Sequence, residues 1–192
     1  MIAIVKYNAG NITSVKNAVE RLGYSCVVTD NKAILKQAEK VIFPGVGEAS
    51  SAMKYLKGKG LDEVIKKLTQ PVLGICLGQQ LLCQFSEEGN TECLGIFEAT
   101  IKKFEPTLKV PHMGWNNISA LNSELYKGIS TEDDFYFVHS FYAEICQETT
   151  AVCDYIVPFG ASMQKDNFYA TQFHPEKSSN VGEQLLLNFL KI

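Results

Sequence analysis

Short apolar runs and amphipathic segments alternate along the first 85 residues. The apolar runs are typical of buried strands and lie at residues 2–7, 25–29, 41–43 and 72–75. Between them apolar residues recur at helical spacing, most clearly between Asn11, a suitable N-cap, and Gly23, a suitable stop. Further helical segments are predicted at 34–36, 49–56 and 61–68. This alternation predicts a doubly wound sheet of mostly parallel strands.

The second half of the chain has a different pattern, with aromatic and β-branched runs. It predicts strand-like segments with short breaks at 94–109, strands at 136–138 and 168–173, and a closing helix at 183–190. Residues 111–116 are predicted as a loop. No repeat, low-complexity tract or long linker divides the sequence. We therefore expect residues 1–192 to form one α/β domain with an antiparallel portion in its second half.

Composition narrows the possible functions. The chain has 192 residues, 46% of them hydrophobic and 20% charged, and a net charge of −3 without a basic block. These values give no reason to expect nucleic acid or an anionic membrane as a partner, and no apolar run approaches the roughly 18 residues needed to span a bilayer. The six cysteines are widely spread, with no Cys-x-x-Cys pair. We expect reduced thiols in the cytoplasm and neither a metal nor another cofactor.

Cys76 is the first candidate for chemistry. It follows the strand predicted at 72–75, lies between Gly74 and Gly78, and precedes a segment with helical spacing. A strand, a tight glycine-containing turn and a helix describe a nucleophile elbow with cysteine in the serine position. The N-terminal end of the helix would favour the thiolate. Taken alone, the same pattern also suits an inert, buried cysteine.

A cysteine nucleophile requires a base, and the sequence has only three histidines. His112 lies in the predicted loop and His139 at the end of a predicted strand. Only His174 has a carboxylate two residues on, Glu176. Because Pro175 favours extended backbone before it, both side chains should project to the same side. We predict that His174 and Glu176 form the base and its orienting carboxylate.

Acyl transfer also requires donors for an oxyanion. The N–H of Leu77, directly after the predicted nucleophile, is one candidate. The segment 44–47, Pro-Gly-Val-Gly, ends the preceding strand and can offer further N–H groups, including that of Gly47. An ordinary Pro-Gly turn is the alternative interpretation of this segment.

Together these motifs resemble those of the triad-type (class I) glutamine amidotransferases. The resemblance is carried by residues 74–80 (Gly-Ile-Cys-Leu-Gly-Gln-Gln), 173–176 (Phe-His-Pro-Glu) and 44–47. It implies a flavodoxin-like fold and hydrolysis of glutamine to glutamate and ammonia through a thioester on Cys76. It also implies that Gln80, Ser140 and Phe141 bind the substrate. Gln79 departs from the methionine common in the family, which changes packing behind the elbow but no catalytic role.

Other motifs are similar to one branch of this family, which supplies ammonia to a (β/α)8-barrel cyclase in histidine biosynthesis. They lie at residues 8–11, 14–15, 111–116, 136–140 and 174–179. This resemblance implies that the chain works as a glutaminase subunit beside such a cyclase. It places the following residues at the interface with it: His112, Met113, Trp115, Asn116 and Lys177. Two alternatives are a glutaminase for anthranilate, pyridoxal phosphate or guanylate synthesis, and a regulatory subunit without activity.

Overall fold

The computed structural model describes residues 1–8 and 10–192. Its strands are, in chain order, β1 (Ile2–Val5), β2 (Cys26–Thr29), β3 (Lys40–Gly45), β4 (Val72–Cys76), β5 (Phe85–Ser86), β6 (Thr91–Glu92), β7 (Thr100–Lys103), β8 (His112–Asn117), β9 (Asp134–His139), β10 (Phe141–Ala143), β11 (Thr149–Tyr155), β12 (Val157–Lys165) and β13 (Phe168–Thr171). Its α-helices are α1 (Ile12–Arg21), α2 (Lys32–Gln37), α3 (Ala49–Lys59), α4 (Asp62–Lys66), α5 (Leu77–Leu82) and α6 (Ser179–Lys191). Short 3₁₀ helices occur at Glu124–Tyr126 and Pro175–Lys177.

A seven-stranded sheet with the order β11-β12-β13-β4-β3-β1-β2 forms the centre of the molecule. The five strands from β2 to β13 are parallel, while β12 and β11 continue the sheet antiparallel. The run β2-β1-β3-β4-β13 corresponds to the flavodoxin-like order. The prediction of a mostly parallel sheet with an antiparallel portion from the second half is confirmed.

Helices cover both faces of this sheet because successive strand residues point to opposite sides. Ile2 and Ile4 of β1 pack in a core with residues of α1 and α6, whereas Ala3 and Val5 pack in a second core with α3, α4 and α5. These parallel strands are buried on both faces, which explains why the sequence shows them as continuous apolar runs.

Two smaller sheets lie beside the central one. Strands β10, β7, β5 and β6 form a four-stranded sheet, and β8 pairs antiparallel with β9. The loop prediction for residues 111–116 is therefore wrong from His112 onward: this segment is a strand whose residues pair with β9 from His139 to Asp134. Only Ser140 separates β9 from β10, and it lies beside the candidate site.

Candidate active site

Cys76 ends β4 in a strained backbone conformation, with φ 54° and ψ −107°. Non-glycine residues rarely adopt positive φ, and such strain is typical of functional turns. Gly78 allows α5 to approach the sheet, because a Cβ atom there would lie 1.8 Å from the carbonyl oxygen of Phe43 on β3. A Cβ at Gly74 would lie 2.7 Å from Leu82 Cδ1. The two glycines therefore make room for the elbow on both sides of the cysteine.

His174 follows β13, the parallel neighbour of β4, and is completely buried. Its Nδ1 lies 2.8 Å from Glu176 Oε1, and both side chains are shielded from solvent. Burial alone would lower the pKa of His174, but the negative charges of Cys76 and Glu176 outweigh burial and raise that pKa from 6.5 to about 10. A histidine with this pKa carries a proton at neutral pH, as a thiolate–imidazolium pair requires.

Asn11 joins this pair, which the sequence did not indicate. The residue occupies the N-cap position of α1, but its side chain makes no capping hydrogen bond. Instead Asn11 Nδ2 donates to Glu176 Oε1 and lies 3.4 Å from His174 Nδ1. The capping prediction is thus wrong for the side chain, because the buried carboxylate of Glu176 offers a charged acceptor in place of the helix N–H groups.

The sulfur of Cys76 lies beside a series of side-chain amides. Gln172 Nε2 donates to Cys76 Sγ at 3.6 Å, and Gln172 Oε1 accepts from Gln80 Nε2 at 3.0 Å. Gln80 Nε2 also donates to the carbonyl oxygen of Phe141 at 3.1 Å. Gln172 is wholly buried and was not predicted as a site residue.

A cavity of about 250 Å³ opens in front of the nucleophile. Its walls include Cys76 and all five residues predicted for the oxyanion and the substrate, namely Gly47, Leu77, Gln80, Ser140 and Phe141. Gly47 has φ 127°, a conformation readily available only to glycine. Glu88 also lines the cavity and was missed, because an acidic residue in a polar segment gives no sequence signal.

His139 also lines this cavity and forms a buried pair with His112. His139 Nδ1 donates to the carbonyl oxygen of Phe141 at 2.7 Å, so its Nε2 accepts from His112 Nδ1 at 3.0 Å. Burial lowers the pKa of His112 to about 4 and that of His139 to about 3, so both are neutral at pH 7. The interface prediction for His112 disagrees with its inward position, since the residue is only 4% exposed.

The neighbouring residues of β8 point the other way. Met113 and Trp115 are more than half exposed, and Trp115 packs edge-on against Tyr136 at a centroid distance of 5.9 Å. Asn116, by contrast, lies on the same face of β8 as His112: its Nδ2 lies 3.4 Å from His112 Nε2 and donates to the carbonyl oxygen of Asp154, and the residue is partly exposed. Lys177 is exposed directly after Glu176. Met113 and Trp115 therefore place two large apolar side chains on the same exposed face of one strand, where they form a candidate contact surface.

The six cysteines are all free thiols. Within residues 1–8 and 10–192, no group of three or more His, Cys, Asp or Glu side chains is arranged to hold a metal ion. In the same residues no helix has the length and apolar character needed to cross a bilayer.

Comparison with known proteins identifies the class. Residues 3–192 match the family model of the class-I glutamine amidotransferases, and the chain belongs to this family. It is 58% identical to "Imidazole glycerol phosphate synthase subunit HisH" from Bacteroides fragilis and to the protein of the same name from Bacteroides thetaiotaomicron, over 100% of this chain and 99% of each relative. The HisH protein of Yersinia pestis is 46% identical over the same shares.

Solved structures agree on the fold. A structure titled as a glutamine amidotransferase superposes with a TM-score of 0.76 at 18% identity, covering 100% of this chain and 98% of the other. The structure of PurLQS from Thermotoga maritima gives a TM-score of 0.75 at 16% identity, covering 99% and 97%. The family prediction is confirmed, whereas the roles of individual site residues stay predictions.

Proposed function

We propose that this chain is the glutaminase subunit of an imidazole glycerol phosphate synthase and acts in histidine biosynthesis. The observation that carries the proposal is the convergence of a strained elbow cysteine and a buried His174–Glu176 pair at one cavity, in a chain 58% identical to HisH proteins. Retention of all three residues argues against a regulatory subunit without activity. The identity to HisH proteins argues against a glutaminase for another pathway.

Cys76 is the nucleophile in this mechanism. Its thiolate attacks the side-chain amide carbon of glutamine and forms a tetrahedral intermediate whose oxygen carries the negative charge. The N–H groups of Leu77 and Gly47 stabilise this oxyanion, since both residues line the cavity beside Cys76. The first N–H groups of a helix have no partner within the helix, which leaves that of Leu77 free for this purpose.

His174 transfers the protons. Its imidazolium gives a proton to the leaving nitrogen, so ammonia departs and the γ-glutamyl thioester remains on Cys76. The neutral imidazole then takes a proton from water, which attacks the thioester and releases glutamate and the thiolate. Throughout the reaction Glu176 accepts a hydrogen bond from His174 Nδ1, and this bond leaves His174 Nε2 available for proton transfer.

Polar groups at the cavity wall bind the amino-acid end of the substrate. Ser140 between β9 and β10 and Phe141 at the start of β10 offer backbone groups, while Gln80 is held by two hydrogen bonds. The carboxylate of Glu88 faces the same cavity and suits the α-ammonium group of glutamine. The N–H of Ala49 donates a hydrogen bond of 2.8 Å to Glu88 Oε2 and fixes this carboxylate in place.

The partner is a (β/α)8-barrel cyclase that consumes the ammonia. Met113 and Trp115 are the anchors of the interface, with Asn116 and Lys177 at its polar margin. Exposed aromatic and methionine side chains are enriched at protein interfaces and supply much of their binding energy. Ammonia is largely protonated in neutral water, so its direct transfer to a bound partner avoids loss.

Six free thiols favour a reducing compartment, and we place the complex in the cytoplasm.

The decisive experiment compares the wild type with Cys76→Ser in the complex with the cyclase. Glutamate release and synthase turnover with glutamine should both fall by at least about a thousandfold. Added ammonium salt should restore turnover, because the cyclase site is intact. Cys83→Ser is the matched control, since Cys83 is a buried thiol of the same neighbourhood that lies outside the cavity. Full glutaminase activity of Cys76→Ser would contradict the mechanism, and failure to form a complex would contradict the partner.

A further inference from the structure

The mechanism above assigns no role to Gln172, although its side chain lies beside the nucleophile. The residue lies between β13 and His174, is wholly buried, and is fixed by a backbone hydrogen bond from its N–H to the carbonyl oxygen of Ala161 at 2.8 Å. Its side-chain amide contacts the nucleophile directly, with Nε2 3.6 Å from Cys76 Sγ. A wholly buried amide is normally bonded at both ends, and the partners of this one are specific.

The hydrogen bonds determine which end of this amide faces the sulfur. The carbonyl oxygen of Phe141 can only accept, so the group of Gln80 that contacts it must be the Nε2 donor. The same Nε2 donates to Gln172 Oε1 at 3.0 Å. A flipped Gln172 would turn its oxygen to the thiolate and its nitrogen to the donor of Gln80, losing both bonds. The N–H of Gln172 therefore points at Cys76.

We propose that Gln172 is a catalytic residue whose side-chain N–H stabilises the Cys76 thiolate before attack and again when the thioester breaks. A hydrogen bond to the charged form of a group favours that form. In this arrangement Gln172 stabilises the anion on sulfur, while Leu77 and Gly47 serve the anion on oxygen. This role rests on the proposed function, but the state of the thiolate can be measured without glutamine or a partner.

The test measures the rate of Cys76 alkylation by iodoacetamide against pH, followed by mass spectrometry of the peptide that contains Cys76. Burial raises the pKa of each of the five other thiols, so they react slowly near neutral pH. Gln172→Met keeps the length of the side chain and removes the donor. The midpoint of its alkylation profile should move up by about one pH unit, and glutaminase kcat/KM should fall roughly tenfold.

Gln172→Glu is the second variant. It keeps an acceptor oxygen for Gln80 and places a negative charge beside the sulfur, so the midpoint should move further than in Gln172→Met. Gln79→Met is the matched control, because Gln79 is an equally buried amide of the same elbow that bonds to Gly160 O and not to Cys76. Its midpoint should match that of the wild type.

The outcomes separate the two proposals. Unmoved midpoints in a folded Gln172→Met or Gln172→Glu variant would overturn the role of Gln172, with folding checked by urea denaturation. If Gln172→Met does not fold, the profile of Gln172→Glu decides alone, and if neither variant folds the catalytic assignment is withdrawn. A normal alkylation profile in a wild-type complex that releases no glutamate would contradict the proposed function and leave the thiolate contact standing.

Discussion

The side chain of Asn11 has two possible hydrogen-bond partners, the start of its own helix and the triad carboxylate, and the structure places it at the carboxylate. Glu176 is buried with one oxygen shared between His174 and Asn11. A buried carboxylate without enough donors is costly, so the second bond helps hold Glu176 in position. Asn11 is thus a positioning residue that acts through Glu176.

Replacing Asn11 with Ala should therefore reduce kcat of glutamine hydrolysis by roughly tenfold, because Glu176 holds His174 less firmly. KM should change little, since Asn11 is not part of the cavity wall. Steady-state kinetics of the complex measure both values. Asn8→Ala is the control: Asn8 is exposed and bonds to the carbonyl oxygen of Ser51. Equal kinetics for Asn11→Ala and the wild type would contradict the positioning role.

At the scale of elements, the junction of β4 and α5 sets the geometry of the nucleophile. The helix begins immediately after Cys76, and its backbone at Gly78 lies against the carbonyl group of Phe43 on β3. Neighbouring strands β3 and β13 bring the oxyanion segment and His174 to the same edge of the sheet. The site is therefore a product of strand order, as expected for parallel α/β sheets.

Gly78→Ala tests this packing. The added Cβ would meet Phe43 O at 1.8 Å, so either the helix or the sheet must shift. We expect the free energy of unfolding to fall by roughly 3 kcal/mol or more, and glutaminase activity to be lost with it. Urea denaturation monitored by circular dichroism gives the first value.

Gly58→Ala is the matched control, because a Cβ at Gly58 in α3 has no heavy atom within 4 Å. This variant should gain about 0.5–1 kcal/mol of stability from the lower conformational entropy of its unfolded chain. If Gly78→Ala proved as stable as Gly58→Ala, the close approach of α5 to β3 would be disproved.

The sequence predicts the parallel strands well, but among the antiparallel strands it identifies β9 and misses β8 and β12. Apolar runs identify β1, β3 and β4 because both faces of these strands are buried. Strand β12 contains Pro158 and Gly160, and β8 contains Gly114 and polar residues, so neither has a run typical of a strand. The same division holds at the site, where local motifs predict Cys76, His174 and Glu176. Contacts over long sequence distances bring in Asn11, Glu88 and Gln172, and no local pattern predicts them.

At the scale of the whole molecule, β8 separates a buried face from an exposed one. His112 points inward and pairs with His139 at the cavity wall, while Met113 and Trp115 face solvent. Trp115→Ala should weaken binding of the cyclase by roughly thirtyfold or more, because an anchoring Trp typically contributes about 2 kcal/mol. Isothermal calorimetry measures the affinity, and Ile145→Ala, a comparably exposed apolar residue outside β8, is the control. If Trp115→Ala and Ile145→Ala bound the cyclase with equal affinity, Trp115 would not be an anchor of the interface.

The buried pair His112–His139 makes the stability of the whole chain depend on pH. In the folded protein their pKa values are lowered to about 4 and about 3, whereas in the unfolded chain they return to an ordinary value of about 6.5. As the pH falls below about 6.5 the unfolded chain binds protons that the folded protein excludes, so stability decreases until the folded pKa values are reached. The pKa of His174 is shifted in the opposite direction, to about 10. Its contribution to the free energy of unfolding is therefore complete below about pH 6.5 and is lost as the pH rises toward 10. The interval between about pH 6.5 and 5 therefore isolates the buried pair.

We expect the free energy of unfolding to fall by about 1–3 kcal/mol between about pH 6.5 and pH 5, as measured by urea denaturation. The double variant His112→Asn/His139→Asn should be less stable at pH 7, because the stacking of His112 on Tyr155 at 4.0 Å is lost. Its stability should nevertheless change much less over this interval, because no buried imidazole remains to exclude a proton. The same decrease in the double variant as in the wild type would assign the pH dependence to other groups. A smaller decrease in the variant would assign the loss of stability in acid to the two buried histidines, which are neutral at pH 7 and of which His139 donates to the Phe141 carbonyl at the cavity wall.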